Sequence, residues 1–220
     1  MVGDNEGSAL DIGCGSGAML LDLASMGMTA VGFDISPLML RAADNLFKAH
    51  NEGGADLSLN DIENIPYGDE AFNLVVCSGV IEYLRRDDAA LQEISRVLKP
   101  GGHAIITVTN STTPFWALET LMKHIGIWGQ AVSWVKGGEP FPRTRVHSPS
   151  SLSRKARRFG LAETDRAYFH FTPIPFPLDM TLVNASKKVG LKMEALYRSR
   201  LGFLGHGCIL KYRKNVSSHE

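Results

Sequence analysis

The stretch Leu10-Asp11-Ile12-Gly13-Cys14-Gly15-Ser16-Gly17 constrains the fold of this chain more than any other. An apolar run of strand length passes straight into a glycine-rich turn, and an amphipathic stretch follows. Without a Cβ, glycine lets the backbone turn sharply at positive φ and lets a ligand approach closely. The N–H groups at the start of the following helix favour an anionic group there. Strand, tight turn and helix in that order open a parallel sheet covered by helices.

The rest of the first half repeats the alternation. Short, largely apolar runs at Ser8 to Ile12, Thr29 to Phe33, Ala55 to Leu59, Phe72 to Cys77 and His103 to Thr109 read as buried parallel strands. The first helix is expected from near Ser16 to Gly27. The second has Ser36 as N-cap, Pro37 at its first position and Gly53 as its stop. A third follows Asp87, with Leu91, Ile94 and Leu98 on one face, and Pro100-Gly101-Gly102 breaks it before the fifth strand.

From Asn110 to His147 the alternation stops for about 38 residues, which contain all three tryptophans, Trp116, Trp128 and Trp134, and the Gly137-Gly138-Glu139-Pro140 break. Segments that long are usually functional or disordered. Phe115 to Ile127, behind Thr113 and Pro114, reads as a helix, so a helical lid is expected here. Then come a helix from Ser148-Pro149 to Phe159-Gly160 and a strand around Glu163 to Phe171. A helix near Leu178 to Val189 and a strand around Gly205 to Tyr212 follow, and the last two strands complete a seven-stranded sheet.

Charge divides the chain as the pattern does. Lys plus Arg equals Asp plus Glu at 23 each, yet residues 1–100 hold 16 acids and 6 bases while 101–220 hold 7 acids and 17 bases. A net charge of zero provides no global field for nucleic acid. With 220 residues, 44% hydrophobic and 21% charged, one domain is expected. Cys14, Cys77 and Cys208 have no partner at metal-ligand spacing, so no metal site is expected and a reducing, cytoplasmic setting is. No run approaches the roughly 20 apolar residues needed to span a bilayer.

Asp34 ends the second strand, 21 residues after Gly13, where a carboxylate can accept two hydrogen bonds from a ribose diol. Asp61 follows the third strand, and Ile35 and Ile62 could close an apolar slot around a purine. The glycine turn and Asp34 also suit a nicotinamide dinucleotide, which leaves the Asp61 and Pro100-Gly101-Gly102 blocks without a role.

Four blocks in order, LDIGCGSG at 10–17, VGFDIS at 31–36, NDIENIPYGDEAFNLVVCSGVIEYL at 60–84 and LKPGGHAIITV at 98–108, resemble the class I S-adenosylmethionine-dependent methyltransferases. The likeness is to the small-molecule group that includes the ubiquinone and menaquinone biosynthesis enzymes. It implies a doubly wound, Rossmann-like α/β fold whose seven-stranded sheet is mostly parallel, with the last strand antiparallel. Residues 1–109 would be the cofactor half, 110–147 the lid insertion and 148–220 the completion of the sheet. It also implies that Asp11, Gly13, Gly15 and Gly17 line the methionine and ribose end of S-adenosyl-L-methionine. Asp34 would bind the ribose, Asp61 and Ile62 with Ile35 the adenine, and Ser78 and Gly79 would flank the methyl group. Asn73 and Tyr83 depart from the family's aspartate and histidine. About seven residues precede the first strand, where the family has a covering helical segment, so a shortened chain or an open pocket is expected.

Methyl transfer asks mainly for alignment, because the cofactor carries the activated methyl. If the acceptor needs a base, the candidates are Glu82, Tyr83, His124, His147 and His170, with His147, Tyr83 and Glu82 foremost. Trp116, Trp128 and His147 are the expected substrate contacts, for an aromatic or lipid-like acceptor or one held at a membrane surface. Arg154, Lys155, Arg157 and Arg158 read as a solvated helix face or an anionic contact. Cys14 and Cys77 read as packing residues. The competing functions are a catalytically silent methyltransferase-like binding subunit, an NAD-dependent oxidoreductase and, against the zero net charge, an RNA methyltransferase.

Overall fold

The computed structural model describes residues 7–50, 56–124, 145–171 and 183–216. Its strands are β1 Ser8–Ile12, β2 Thr29–Asp34, β3 Asp56–Leu59, β4 Phe72–Cys77, β5 Leu98–Thr109, β6 Leu161–Phe169 and β7 Gly207–Lys214. They form one sheet in the order β3-β2-β1-β4-β5-β7-β6, six strands parallel and the last antiparallel. The helices are α1 Ala18–Ser25, α2 Pro37–Ala49, α3 Asp87–Val97, α4 Pro114–His124, α5 Pro149–Arg158 and α6 Val183–Met193.

Local chemistry accounts for most boundaries. Gly17 starts α1 at φ +83° and Gly27, at φ +81°, ends it. A Cβ on Gly17 would lie 2.8 Å from the Cβ of Ala43, so this glycine lets α1 pack directly on α2. Ser36 caps α2 by accepting from the Met39 N–H at 3.4 Å, and Pro37 is the first helical residue as expected. The helix ends at His50, and the expected Gly53 stop lies outside the described residues. In α3, Leu91 and Ile94 are buried as expected, while Leu98 already belongs to β5. That strand begins five residues early because Phe72 pairs with Leu98 and Leu74 with His103, the residues between them bulging at Pro100-Gly101-Gly102.

The later elements shift by two residues. Gly160, at φ +77°, ends the turn after α5, and β6 starts immediately at the buried Leu161 rather than at Glu163. The strand expected from Gly205 starts at Gly207, because the Gly205 carbonyl is bonded to the side chain of Asn110. The helix expected at Leu178 to Val189 is described from Val183 and continues to Met193. The helix expected behind Thr113 and Pro114 is present as α4 over Pro114–His124, while the rest of the expected insertion, with Trp128, Trp134 and the Gly137-Gly138 break, lies outside the described residues.

The chain falls into two compact units, Met1–Thr107 with Ser153–Asp165 and Lys211–Glu220, and Val108–Leu152 with Arg166–Leu210. In the first, Leu10, Ile12, Phe33, Val75, Leu91, Ile94 and Ile106 are core residues. Lys155 forms a 2.7 Å ion pair with the buried Asp87, so one member of the expected solvated cluster is tied down while Arg154, Arg157 and Arg158 stay exposed. In the second, the buried Asn110 is a hub. Its Nδ2 donates to the carbonyls of Phe203 (3.0 Å) and Gly205 (2.8 Å), and its Oδ1 accepts from Thr112 N (2.9 Å) and Oγ1 (2.6 Å).

Candidate functional site

The first unit holds a cleft of about 490 Å³ at the carboxyl ends of β1 to β4, within the range of small-molecule sites and at the edge where open α/β sheets bind ligands. Each of the four strand ends contributes. Ile12 and Gly13 come from β1, Phe33 to Ile35 from β2, Asn60 to Glu63 from the segment after β3, and Gly79, Val80 and Tyr83 to Arg85 from that after β4. The described lining thus brings together three carboxylates, Asp34, Asp61 and Glu63, with one guanidinium, Arg85, a balance that attracts cations and hydroxyl donors.

The glycine turn is tied to β2. Gly13 N and Cys14 N both donate to the Phe33 carbonyl, at 2.8 and 3.0 Å, and Gly17 N donates to Cys14 O at 2.9 Å. Gly15 N donates to Asp34 Oδ2 at 2.9 Å, and Ser36 N donates to Asp34 Oδ1 at 2.8 Å. The anion expected at this turn is therefore the chain's own Asp34 carboxylate, which two backbone donors orient. Gly15, at φ +53°, and Gly79, at φ +69°, would carry a Cβ into open space, whereas a Cβ on Gly13 would collide with Val80 Cγ2.

Asp11 lies on β1, 2% exposed, and its Oδ2 has no hydrogen-bond partner. Burial, reinforced by the charge of Asp34, pushes its pKa up to about 7. Ile62 is buried and Ile35 stands 73% exposed at the rim, so the expected apolar slot has one fixed wall and one open wall. Asp61 Oδ1 accepts from Glu63 N at 3.0 Å, which shapes the turn that presents it. Ser78 and Thr107 hydroxyls are 3.2 Å apart, and Gly79 N donates to Thr107 Oγ1 at 2.8 Å.

Six of the ten expected cofactor contacts, Gly13, Asp34, Ile35, Asp61, Ile62 and Gly79, line the cleft, and Asp11, Gly15, Gly17 and Ser78 are not in its lining. Of the candidate bases, Tyr83 lines it from an Ile81–Tyr83 3-10 turn that was not expected, and Glu82 is half-buried beside it. His147 belongs to the second unit, where it is buried and its N–H donates to Thr109 O at 2.9 Å. His124 is exposed at the end of α4. His170 is exposed at φ +59°, its ring edge-on to His206 with centroids 5.9 Å apart. Trp116 is half-buried on α4. Burial raises the thiols of Cys14 and Cys77 to about 12 each, which makes them unreactive packing groups.

Sequence reasoning missed the support behind the Asp61 turn. Arg96 on α3 donates to both carboxylate oxygens of Glu93 (2.8 Å each), to Asp69 (2.9 Å) and to the carbonyls of Tyr67 (2.8 Å) and Ile65 (2.9 Å). Glu93 in turn accepts from Ile65 N at 2.9 Å. These bonds hold the guanidinium well above its ordinary pKa and the Glu93 carboxyl below its own. The five-donor fork of arginine thus clamps the segment running from Ile65 to Asp69 onto α3, immediately after Asp61 and Ile62. Among the described residues, no group of three His, Cys, Asp or Glu side chains could hold a metal ion.

Residues 10–106 match the family model described as a methyltransferase domain. These residues form a methyltransferase domain of the class I S-adenosylmethionine-dependent kind. The family's cofactor is S-adenosylmethionine, and the matched residues contain the whole lining of the cleft. Among the relatives of this chain, the biotin biosynthesis bifunctional protein BioHC of Cellvibrio japonicus is 35% identical over 160 residues, which are 73% of this chain and 30% of that protein. The demethylmenaquinone methyltransferase of Lactobacillus johnsonii is 32% identical over 109 residues, 48% of this chain and 45% of that one. The chain thus spans less than half the length of these curated relatives. The fold likeness runs further: a SAM-dependent methyltransferase structure from Methanosarcina mazei superposes with a TM-score of 0.67 at 18% identity, covering 97% of this chain and 95% of that chain.

The residues present suit the cofactor. The acidic lining favours a cationic ligand, the open faces of Gly15 and Gly79 leave room for it, and the unsatisfied Asp11 oxygen lacks only a donor or a counter-charge.

Proposed function

We propose that the chain binds S-adenosylmethionine in the cleft of its first unit and directs in-line methyl transfer to a small apolar or aromatic acceptor. One observation carries the cofactor half of this reading. The glycine turn already holds a carboxylate, that of Asp34, so it offers hydrogen-bond acceptors to a ribose and repels a pyrophosphate. Asp61 and Ile62, which a nicotinamide dinucleotide leaves without a role, line the same cleft and favour S-adenosylmethionine over it.

In this reading Asp34 accepts from the ribose hydroxyls through the lone pairs that Gly15 and Ser36 leave open. Asp61 and the Ile35–Ile62 slot hold the adenine. Gly13 and Gly15 pass the ligand along the turn, Gly17 acts through the contact of α1 with α2, and Ser78 and Gly79 flank the reacting carbon. Asp11 supplies a negative charge that a bound cation would stabilise. The cofactor, when bound, supplies a methyl group activated by a sulfonium. The protein's part is then to align the acceptor and exclude water. Tyr83, Glu82 and His147 are the candidate bases for an acceptor that must lose a proton, and Trp116, Trp128 and His147 the candidate acceptor contacts. We assign residues 1–220 to one methyltransferase domain with 110–147 as its lid, an organisation supported by the likeness to the Methanosarcina protein over nearly all of both chains.

The reading is tested by incubating the full chain with S-adenosylmethionine and a panel of quinols, phenols and fatty acids, and following S-adenosylhomocysteine. Turnover with one of these classes supports it, and Trp116→Ala should then raise KM with cofactor affinity unchanged. Cofactor binding without product on any acceptor would favour the silent binding subunit instead.

A further inference from the structure

A surface of the second unit combines charge and apolar exposure in a way that methyl transfer does not use. Residues 183–203, which comprise α6 and the two short 3-10 turns after it as far as Phe203, carry five bases against one acid, a net charge of +4. Lys187, Lys188, Lys192, Arg198 and Arg200 are all exposed. The single acid, Glu194, is turned to the backbone, where its Oε1 accepts from Phe171 N at 3.4 Å.

Large apolar side chains lie among these bases. On α6, Leu191 is 72% exposed, and it follows Lys187 by four residues and Lys188 by three, so the three share one helix face. Val189 on the same helix, and Tyr197, Leu201 and Phe203 beyond it, are exposed as well. Arg198 stacks over the Tyr197 ring, 5.5 Å from its centroid, a pairing of cation and amphipathic ring suited to a headgroup region. Isolated exposed apolar residues are ordinary; five within 15 residues, interleaved with bases, are not.

We propose that residues 183–203 dock on an anionic lipid bilayer, Leu191 and its apolar neighbours entering the headgroup boundary while the bases face lipid phosphates. Lysine suits this arrangement because its aliphatic stem lies along apolar surface and its ammonium reaches outward to the charge. The charge complements an acidic leaflet, on which each base near the surface strengthens binding. Single-stranded RNA would also attract the bases, but it is recognised by stacking on rings and by hydrogen bonds to base edges, and it gives exposed leucine and valine no role. This docking is independent of the cofactor reading and is tested without the cofactor.

The test is co-sedimentation of the full chain with vesicles of phosphatidylglycerol and phosphatidylcholine in equal parts, against vesicles of phosphatidylcholine alone. The expected result is binding to the anionic vesicles only, weakened by added salt. Lys187→Gln, Lys188→Gln and Lys192→Gln combined should lower the partition coefficient by about a hundredfold, at about fivefold per lysine. Leu191→Ser should lower it by roughly tenfold with the charge unchanged. Because all four side chains are exposed, both variants should melt with the wild-type midpoint, and circular dichroism checks this. Three results would overturn the proposal: no binding to anionic vesicles, equal binding to both vesicle types, or binding indifferent to both variants. So would a lysine-dependent complex with an RNA oligomer in the absence of vesicle binding.

Discussion

Two turns in this molecule follow strands of one sheet and use their polar groups in opposite ways. After β5, the side chain of Asn110 is wholly consumed by the fold, its amide bonded to two carbonyls and its oxygen to Thr112 twice. At the end of β1, an Asp11 oxygen has no partner and the glycine turn leaves the face of Gly15 open, next to a carboxylate held in place by backbone donors. A buried polar group with every bond made stabilises a structure; one with a bond missing destabilises it unless something arrives to complete it. The comparison teaches where to look for a ligand: at the polar groups the fold leaves incomplete. Buried polar residues as such mark hubs as often as sites.

The contrast predicts a separation of effects. The largest belongs to the hub: Asn110→Ala should lose on the order of 3 kcal/mol of stability in urea unfolding, because two carbonyls and an N–H lose partners, while the cofactor dissociation constant stays at its wild-type value. Weakened cofactor binding in that variant would break the comparison. Asp34→Ala should act on the ligand as well, raising the dissociation constant by a factor equivalent to about 2 kcal/mol in calorimetry. Next comes the clamp behind the adenine side. Arg96→Lys cannot keep a five-donor fork, so cofactor affinity should fall on the order of tenfold with kcat at saturation unchanged. If Arg96 acts by positioning Asp61, the same change should cost little further in an Asp61→Ala background, and full additivity would assign it a purely structural role.

A further effect is a slope with pH. The folded pKa of Asp11 is raised to about 7 from an ordinary 3.8, so the folded state holds a proton that the unfolded state has released. Its contribution to stability is complete below about pH 4 and is lost as the pH climbs to 7, at no more than about 1.4 kcal/mol per pH unit. Asp11→Asn should flatten that part of the melting-temperature profile. An unchanged profile would show that Asp11 does not titrate in this window.

Where fold and site depend on neighbours in sequence, they could be read from it. β1 and β4 run between the expected residues, Ser36 and Pro37 open α2, and the glycine turn sits where the motif put it. Gly13, Asp34, Asp61 and Ile62 converge on one cleft because each follows the end of a parallel strand. What escaped depends on long-range partners. The early start of β5 comes from a bulge opposite Phe72, and the late start of β7 from an asparagine 95 residues away. Arg96 and Thr107 were invisible for the same reason, since one binds backbone carbonyls about 30 residues away and the other an N–H on the neighbouring strand end. Composition and periodicity carry no trace of such bonds. The anion-seeking turn was anticipated correctly in kind, but its anion proved to be internal.

The central claim is that the incomplete polar groups of the first unit are completed by S-adenosylmethionine. Calorimetric titration of the full chain with S-adenosylmethionine and, separately, with NAD tests it most directly. The account predicts saturable binding of S-adenosylmethionine, weakened in Asp34→Ala, and none of NAD; binding of NAD, or of neither, would contradict it.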